Sequence, residues 1–245
     1  MVQPQIDQLL AWTSSAVDDI VEAKKEYFSQ TGGEVHEDDR CFEQRMQAFF
    51  NWYLFDRKRG GGDTPVQQYL QENGPSLSVH DKDVMLGFIH SRLGLYEYRG
   101  QRGIIRRPKQ GQVRVMDVVT GEKFNVTERR QMHGLEIGDL FEARLVPVHG
   151  TYHFSSSFTY HPRETKRTIL REVKRRKKQG PVDARALVWE LEKMSLQAER
   201  FRNVNIENIY NFEQPFLQHR PLRQQQGPAV AEQRPESPIR RRGAE

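Results

Sequence analysis

The hydrophobic pattern of this chain changes its period near Gly94, and this change limits the folds that the chain can adopt. Before it, apolar residues recur at spacings of three and four, as in amphipathic helices. After it, short segments alternate apolar and polar residues, which is the pattern of half-buried strands. Helical spacing then returns. The sequence therefore predicts an α+β fold with an N-terminal helical unit over 1–93, a small, strongly bent antiparallel β-sheet or barrel over 94–161, and a basic helix with following helices over 162–212.

The helical unit is predicted to hold four helices. Apolar spacing over 5–28 predicts one long first helix. The aromatic cluster at 49–55 has helical spacing, and although it could stack on bases or peptides, we assign it to the core of the second helix. Thr64 and Pro65 predict an N-cap and first helical residue, and a further helix begins near Asp81.

Five or six short strands are predicted in the middle of the chain. The segment 112–118 alternates clearly, and a turn connects it to a return strand at 123–126. A second hairpin is predicted to turn at His149 and Gly150. We interpret 100–103 as a turn rather than a cofactor-binding glycine motif.

Charge is distributed unevenly along the chain. Residues 1–90 hold 8 Lys and Arg against 15 Asp and Glu, whereas the remaining residues hold 30 against 18. The acidic front and basic back could attract one another within the fold, or the basic part could face an anionic partner.

The densest positive charge lies in the predicted helix at 163–178, which has nine basic residues and two acidic ones. Such a helix can lie along a phosphate backbone. Alternatively, its cations are solvated or pair with the acidic N-terminal half. The candidate nucleic-acid contacts are Arg163, Lys166, Arg167, Arg171, Lys174, Arg175, Arg176, Lys177 and Lys178.

A second group of arginines precedes the predicted barrel. Arg102-Gly103-Ile104-Ile105-Arg106 resembles the opening of PilZ-type cyclic-dinucleotide receptors, in which arginines clamp phosphates. The second motif of that family is not matched, because 117–121 departs from it in residue type and spacing. In the alternative interpretation these are solvent-facing strand residues. The candidate secondary anion contacts are Arg102, Arg106 and Arg107.

Three histidines in one hairpin region, His149, His153 and His161, invite a metal-site hypothesis. No cysteine or carboxylate lies at a diagnostic spacing from them, so structural histidines are the favoured interpretation. We predict no metal and no cofactor.

Catalytic motifs are also missing from the sequence. Cys41 has His36 and Asp39 nearby, but catalytic triads are assembled in space, so proximity along the chain adds little. No nucleophile elbow, phosphate-binding loop or metalloprotease helix occurs. We therefore name no catalytic residue.

Two stretches resemble a known group of proteins. The first contains Phe42-Glu43, Phe49 to Arg57 and Thr64-Pro65, and the second runs from Val115 to Val126 with a later Gly138-Asp139-Leu140. Together they resemble, over residues 40–160, the body of bacterial proteins that often carry a C-terminal SEC-C metal-binding motif. The cysteine-rich motif itself is absent here, so a zinc role cannot be carried over, and the resemblance implies a bacterial origin and little else.

The remaining features concern location and the C-terminus. No secretory signal and no apolar run long enough to span a bilayer is seen, and the single cysteine cannot form an internal disulfide. These features predict a soluble cytoplasmic protein without membrane contact. From Glu213 the composition shifts to Gln, Pro, Arg and Glu, which predicts a disordered tail over 213–245.

The function hypothesis that follows is a non-catalytic binding protein whose basic sheet-plus-helix surface contacts RNA or DNA. The main alternative is a protein–protein adaptor that uses the acidic helices and the tail. A cyclic-dinucleotide receptor or an unrecognised enzyme comes third. The sequence leaves open the partner's identity, the oligomeric state and whether the helical and β parts form one domain.

Overall fold

The computed structural model describes residues 2–104, 107–128, 134–214 and 216, with the side chains of 102–104 and 107–110 left out. Most of the predicted tail, 213–245, lies outside these residues. Within them, the chain forms eight α-helices and five β-strands. The helices are α1 (Gln3–Thr13), α2 (Val17–Gln30), α3 (Phe42–Phe55), α4 (Pro65–Asn73), α5 (Val79–Ile89), α6 (Lys166–Gln179), α7 (Ala184–Arg200) and α8 (Ile206–Ile209). The strands are β1 (Arg92–Ile104), β2 (Arg107–Asp117), β3 (Lys123–Thr127), β4 (Leu140–Val148) and β5 (Thr151–Tyr160). The predicted α+β class, in which helices precede and follow a small barrel along the chain, is confirmed.

The five strands close into a barrel in the order β1-β2-β3-β5-β4, and β4 pairs back onto β1. Neighbouring strands are antiparallel except β3 and β5, which are parallel. This Greek-key connectivity is that of an OB-type barrel, a fold that hosts many unrelated functions.

Strand β1 is long because it pairs with β2 on one side and with β4 on the other. The predicted turn at 100–103 is wrong, since these residues form an irregular part of β1 where its register against β2 shifts. Gly100 has φ +85° there. Glycine supplies this left-handed conformation equally in turns and in bulges, so sequence alone did not separate the two.

Strand β4 is buried on both faces. Its inward side chains, Phe141, Ala143 and Leu145, join the barrel interior. Its outward side chains Val146 and Val148 complete the core of the N-terminal helices. The strand thus belongs to two hydrophobic cores at once.

The N-terminal helices depart from the prediction at one point, because the single helix predicted over 5–28 is two helices. Ser14 ends α1, and its Oγ donates to the carbonyl of Ala11 at 2.7 Å. Serine side chains compete in this way with helical backbone bonding. Val17 and Val21, whose apolar spacing contributed to the prediction of one helix, are exposed on α2.

Other local predictions are confirmed. Thr64 and Gln67 form a capping box ahead of α4, with Pro65 in its first turn. Among the helices predicted over 162–212, α7 starts at an N-cap, where the carboxylate of Asp183 accepts the backbone N–H groups of Arg185 and Ala186. The aromatic cluster at 49–55 is largely buried, as assigned.

Helix α5 approaches β4 very closely, and Gly87 makes this possible. A Cβ atom built on Gly87 would lie 2.4 Å from the carbonyl oxygen of Pro147. It would also lie 3.2 Å from methyl groups of Val146 and Val148. Only a residue without a side chain fits this contact between helix and barrel.

A polar centre is buried where α2, α3 and α7 meet the barrel. The guanidinium Nη1 of Arg45 lies 3.5 Å from Glu192 Oε2, which also accepts a 2.6 Å hydrogen bond from the hydroxyl of Tyr27. Glu142 Oε1 on β4 lies 3.1 Å from His161 Nε2. Burial, followed by the neighbouring Glu142, raises the pKa of Glu192 from 4.5 to about 7. Burial lowers the pKa of His161 from 6.5 to about 4.

We expect Gly87→Ala to destabilise the protein, because the added methyl group overlaps the backbone of β4. Overpacking of this kind costs about 1 to 3 kcal/mol, which chemical denaturation measures. Gly74→Ala is the matched control, since Gly74 has helical backbone angles and the nearest atom to its Cβ, Leu70 Cδ1, is 3.7 Å away. Equal stability of the two variants would contradict the close contact.

We expect Glu192→Gln to remove one contribution to the pH dependence of stability, the one by which stability decreases as pH rises. Between pH 4.5 and 7 the native protein holds the Glu192 proton more tightly than the unfolded chain does, so this group's stabilisation is lost as pH rises. Between about pH 4 and 6.5, the buried neutral His161 makes stability increase as pH rises. The test therefore compares wild type with the variant, which retains His161. From pH 5 to pH 8, the free energy of unfolding of wild type should fall relative to the variant by up to about 3 kcal/mol. The exposed Glu43→Gln is the control, and parallel curves for wild type and Glu192→Gln would refute the assignment.

Candidate functional site

The predicted basic helix exists as α6, preceded by a short 3-10 turn at Arg163–Thr165. Several of its candidate contact residues are already engaged. Arg163 pairs with Asp139 at 2.8 Å and with Glu136 at 2.9 Å. Lys166 Nζ lies 2.9 Å from Glu97 Oε1 and donates to the carbonyl of Gly138 at 2.6 Å.

The same holds near the C-terminal end of α6. Arg175 and Arg176 both pair with the buried Glu172, at 2.7 and 2.6 Å. Hydrogen bonds from Arg175, then from Arg176, hold the pKa of the Glu172 carboxyl below its usual value, although burial opposes this. Arg176 also reaches Glu190 on α7, and Lys177 donates to the carbonyl of Val118 at 3.2 Å.

Four candidate residues remain exposed, and none of them has an ion pair or a side-chain hydrogen bond within the described part of the chain. They are Arg167, Arg171, Lys174 and Lys178, which we call the α6 stripe. Their spacings of four, three and four residues place them within about 60° of one another around the helix. Over eleven residues the stripe extends about 16 Å along one face of α6.

The orientation of the stripe follows from the contacts of its neighbours. Lys166 and Lys177 mark the side of α6 that contacts the barrel, and the stripe is rotated about 100° from that line. Glu172 and Arg176 are rotated in the opposite direction, and Arg176 contacts α7. The stripe therefore lies on the side of α6 away from α7.

A groove lies on the outer surface of β2 and β3. Its cavity volume is about 540 Å³. Its lining, which we call the barrel groove, consists of Arg99, Arg114, Val115, Met116, Lys123, Phe124, Asn125 and Ile137. The groove therefore combines three cationic side chains with the apolar side chains of Met116 and Ile137.

Two cations of the barrel groove, Arg114 and Lys123, are exposed and have no carboxylate partner among the described residues. Arg114 Nη2 donates to the carbonyl of Arg99 at 3.2 Å, which directs its guanidinium along the groove. Ile137 is 74% exposed at the groove wall, an unusual position for a large apolar side chain.

Glu97 joins the groove to the start of α6. Its Oε2 lies 2.9 Å from Arg99 Nη2 and its Oε1 lies 2.9 Å from Lys166 Nζ. The carboxylate thus neutralises charge between the two surfaces and fixes α6 against β1. Glu97 pairs with neither group of exposed cations described above. These groups are the α6 stripe on the helix and Arg114 with Lys123 in the barrel groove.

The side chains of the three candidate secondary anion contacts lie outside the described structure. Arg106 is not described at all, and Arg102 and Arg107 are described only as backbone in β1 and β2. The cyclic-dinucleotide hypothesis therefore stays a prediction.

The three histidines singled out in the sequence have different partners. His161 is buried between Glu142 and Tyr210, whose hydroxyl lies 3.0 Å from His161 Nδ1. His153 Nε2 lies 3.2 Å from the hydroxyl of Thr151. His149 faces His80 of α5. Across the part of the chain that the structure covers, no group of three or more His, Cys, Asp or Glu side chains has metal-binding geometry.

Cys41 lacks the surroundings of an activated nucleophile. Burial raises the pKa of its thiol above the usual value, which disfavours the reactive thiolate. The Asp39 carboxylate instead accepts the backbone N–H of His36 at 3.0 Å.

Sequence reasoning missed the barrel groove. Arg114 and Met116 alternate with the inward-facing Val113 and Val115, and Lys123 and Asn125 alternate with Phe124 and Val126. This pattern shows which side chains point outward. It does not show that β2 and β3 form a concave surface beside a helix 40 residues later.

Comparison with known proteins supports no specific activity. Residues 17–187, more than half of the chain, match the model of the Family of unknown function (DUF7986). No curated protein and no solved structure matches the chain significantly. Among the described residues, no helix is long and apolar enough to cross a membrane.

Proposed function

Since the chain belongs to a family of unknown function, we propose a function from the geometry of this surface. The protein is a non-catalytic binding protein that contacts RNA or DNA through the α6 stripe and the barrel groove. The observation that carries the proposal is the α6 stripe, four exposed cations in line on one helical face without partners in the described structure.

The stripe suits a phosphate backbone because its charges are arranged along a line. Nucleic-acid strands present a regular row of negative charges, and neutralising them releases bound counterions. A row of about 16 Å covers several phosphates of one strand. The paired residues of α6 hold the helix in place, so the unpaired ones are presented on a rigid support.

The barrel groove adds contacts of another kind. Arg114 and Lys123 supply further phosphate contacts, while Met116 and Ile137 offer apolar surface to a base. The amide of Asn125 can both donate and accept hydrogen bonds at a base edge. In barrels of this connectivity, the face of β2 and β3 is a common place for oligonucleotides, which supports the proposal by analogy only.

The test is fluorescence anisotropy with labelled single-stranded RNA, single-stranded DNA and duplex DNA over a salt series. We expect wild type to bind with an affinity that falls steeply with salt. Replacing Arg167, Arg171, Lys174 and Lys178 with Gln should weaken binding and reduce the slope of log affinity against log salt. The expected reduction is about 3 for a single strand, because each phosphate contact contributes about 0.7.

A variant with equal charge loss elsewhere is the control. Lys25, Arg40, Lys58 and Lys82 are also exposed without ion pairs in the described chain, but they lie on the N-terminal helical unit. Their replacement with Gln should leave the slope nearly unchanged. If both variants lose the same slope, attraction is nonspecific, and if wild type does not bind any of the three probes, the proposal fails.

A further inference from the structure

Two histidines meet at the end of the barrel where α5 contacts β4. His80 lies in the first turn of α5, and His149 follows β4 in the tight turn to β5. Their rings are nearly parallel, and His80 Nδ1 lies 3.4 Å from His149 Nε2. This pair is separate from the α6 stripe and the barrel groove.

The separation of the two nitrogens is informative. Hydrogen bonds from an N–H group usually span about 2.9 to 3.0 Å, so 3.4 Å is long for one. Two imidazole nitrogens bound to one tetrahedral zinc ion at about 2.0 to 2.1 Å are themselves about 3.3 to 3.4 Å apart. The observed spacing therefore matches that of two ligands of one metal ion.

The other nitrogen of His149 also faces a suitable partner. His149 Nδ1 lies 3.5 Å from Asp83 Oδ2 on the next turn of α5. Metal-bound histidines commonly direct their second nitrogen to a carboxylate, which orients the ring and makes it a stronger ligand.

The backbone holds both imidazoles in place. His149 has φ +48° and is followed by Gly150 with φ +75°, and Val148 pairs with Thr151 across this two-residue turn. Turns with two left-handed residues favour Asn, Asp and Gly at the first position. Histidine is among the non-glycine residues that adopt this conformation more often than most, so the turn holds the His149 imidazole at a defined position. The contact of Gly87 with Pro147 fixes α5 against the same end of β4.

We propose that His80 and His149 bind a divalent transition-metal ion of the zinc type, with Asp83 as the positioning residue for His149. Water fills the other coordination positions, because no third metal-binding side chain joins the pair among the described residues. Imidazole is a ligand that zinc prefers, and the exposed position of His149 gives the ion direct access from solvent.

The test is calorimetric titration of the full chain, free of any histidine tag, with Zn²⁺ alone. We expect one zinc site that is lost in His80→Gln and in His149→Asn, and that is weakened about 10-fold to 100-fold in Asp83→Asn. His149→Asn is suitable because asparagine tolerates the left-handed turn, so the variant should fold.

His90→Asn is the matched control, because His90 is exposed at the opposite end of α5. It should bind zinc like wild type. Thermal melting supplies a second readout, since zinc should raise the melting temperature of wild type and of His90→Asn but not of His149→Asn. Identical titrations for wild type and the His80→Gln/His149→Asn double variant would overturn the proposal, whether or not other groups bind zinc.

Discussion

The burial of β4 on both faces is the constraint on which the rest of the structure depends. A strand with one solvent-exposed face could carry Glu142 and Arg144 as ordinary surface charges. Here both lie under 3% exposed, so each needs a partner brought by another element. Arg144 forms an ion pair with Asp56 at the end of α3 and donates to the hydroxyl of Ser91 at 2.9 Å. Glu142 contacts the imidazole of His161.

These partners explain how helices from both ends of the chain are attached to one barrel. Asp56 also accepts Arg185 of α7 at 3.1 Å, so one carboxylate joins the N-terminal helices, the barrel and the C-terminal helices. Unpaired charges at this depth would be strongly destabilising. The contacts therefore favour one arrangement of the three parts, whatever their net contribution to stability.

The ion pairs of the α6 region also determine which cations stay unpaired at the surface. The sequence left open whether the basic back of the chain pairs with the acidic front. Most ion pairs of the α6 region are made with nearby carboxylates, such as Glu97, Glu172 and Glu190, rather than with the N-terminal helices. The cations of α6 that remain unpaired in the described structure lie on one flank of that helix, which total charge could not have indicated.

Local features were predictable because they depend on neighbours in sequence. The two hairpins, the caps at Thr64 and Asp183 and the start of α6 follow from turn residues, capping chemistry and periodicity. The break at Ser14 was missed because apolar spacing continues through it. Glu142 and Arg144 alternate with apolar residues exactly as solvent-facing residues would, so their burial is visible only once α3 and α7 are in place.

The barrel groove and the His80–His149 pair were missed for a related reason. Each joins side chains that are distant in sequence, 99 with 137 and 80 with 149, and their meeting depends on strand order and on the approach of α5 to β4. Sequence reasoning listed His149 with two histidines close to it along the chain, whereas the structure pairs it with one much further away.

The dual role of β4 also has a consequence for how the chain is made. The N-terminal helices need Val146 and Val148 to complete their core, and β1 stays half-paired until Leu145 lies opposite Arg92. During synthesis, more than half of the chain must therefore leave the ribosome before either core can close. Such long-range pairing makes folding slow relative to a helical protein of this size, because chain entropy is lost before contacts compensate. Until then the apolar faces of the first helices stay accessible, so the nascent chain is a natural client for a chaperone.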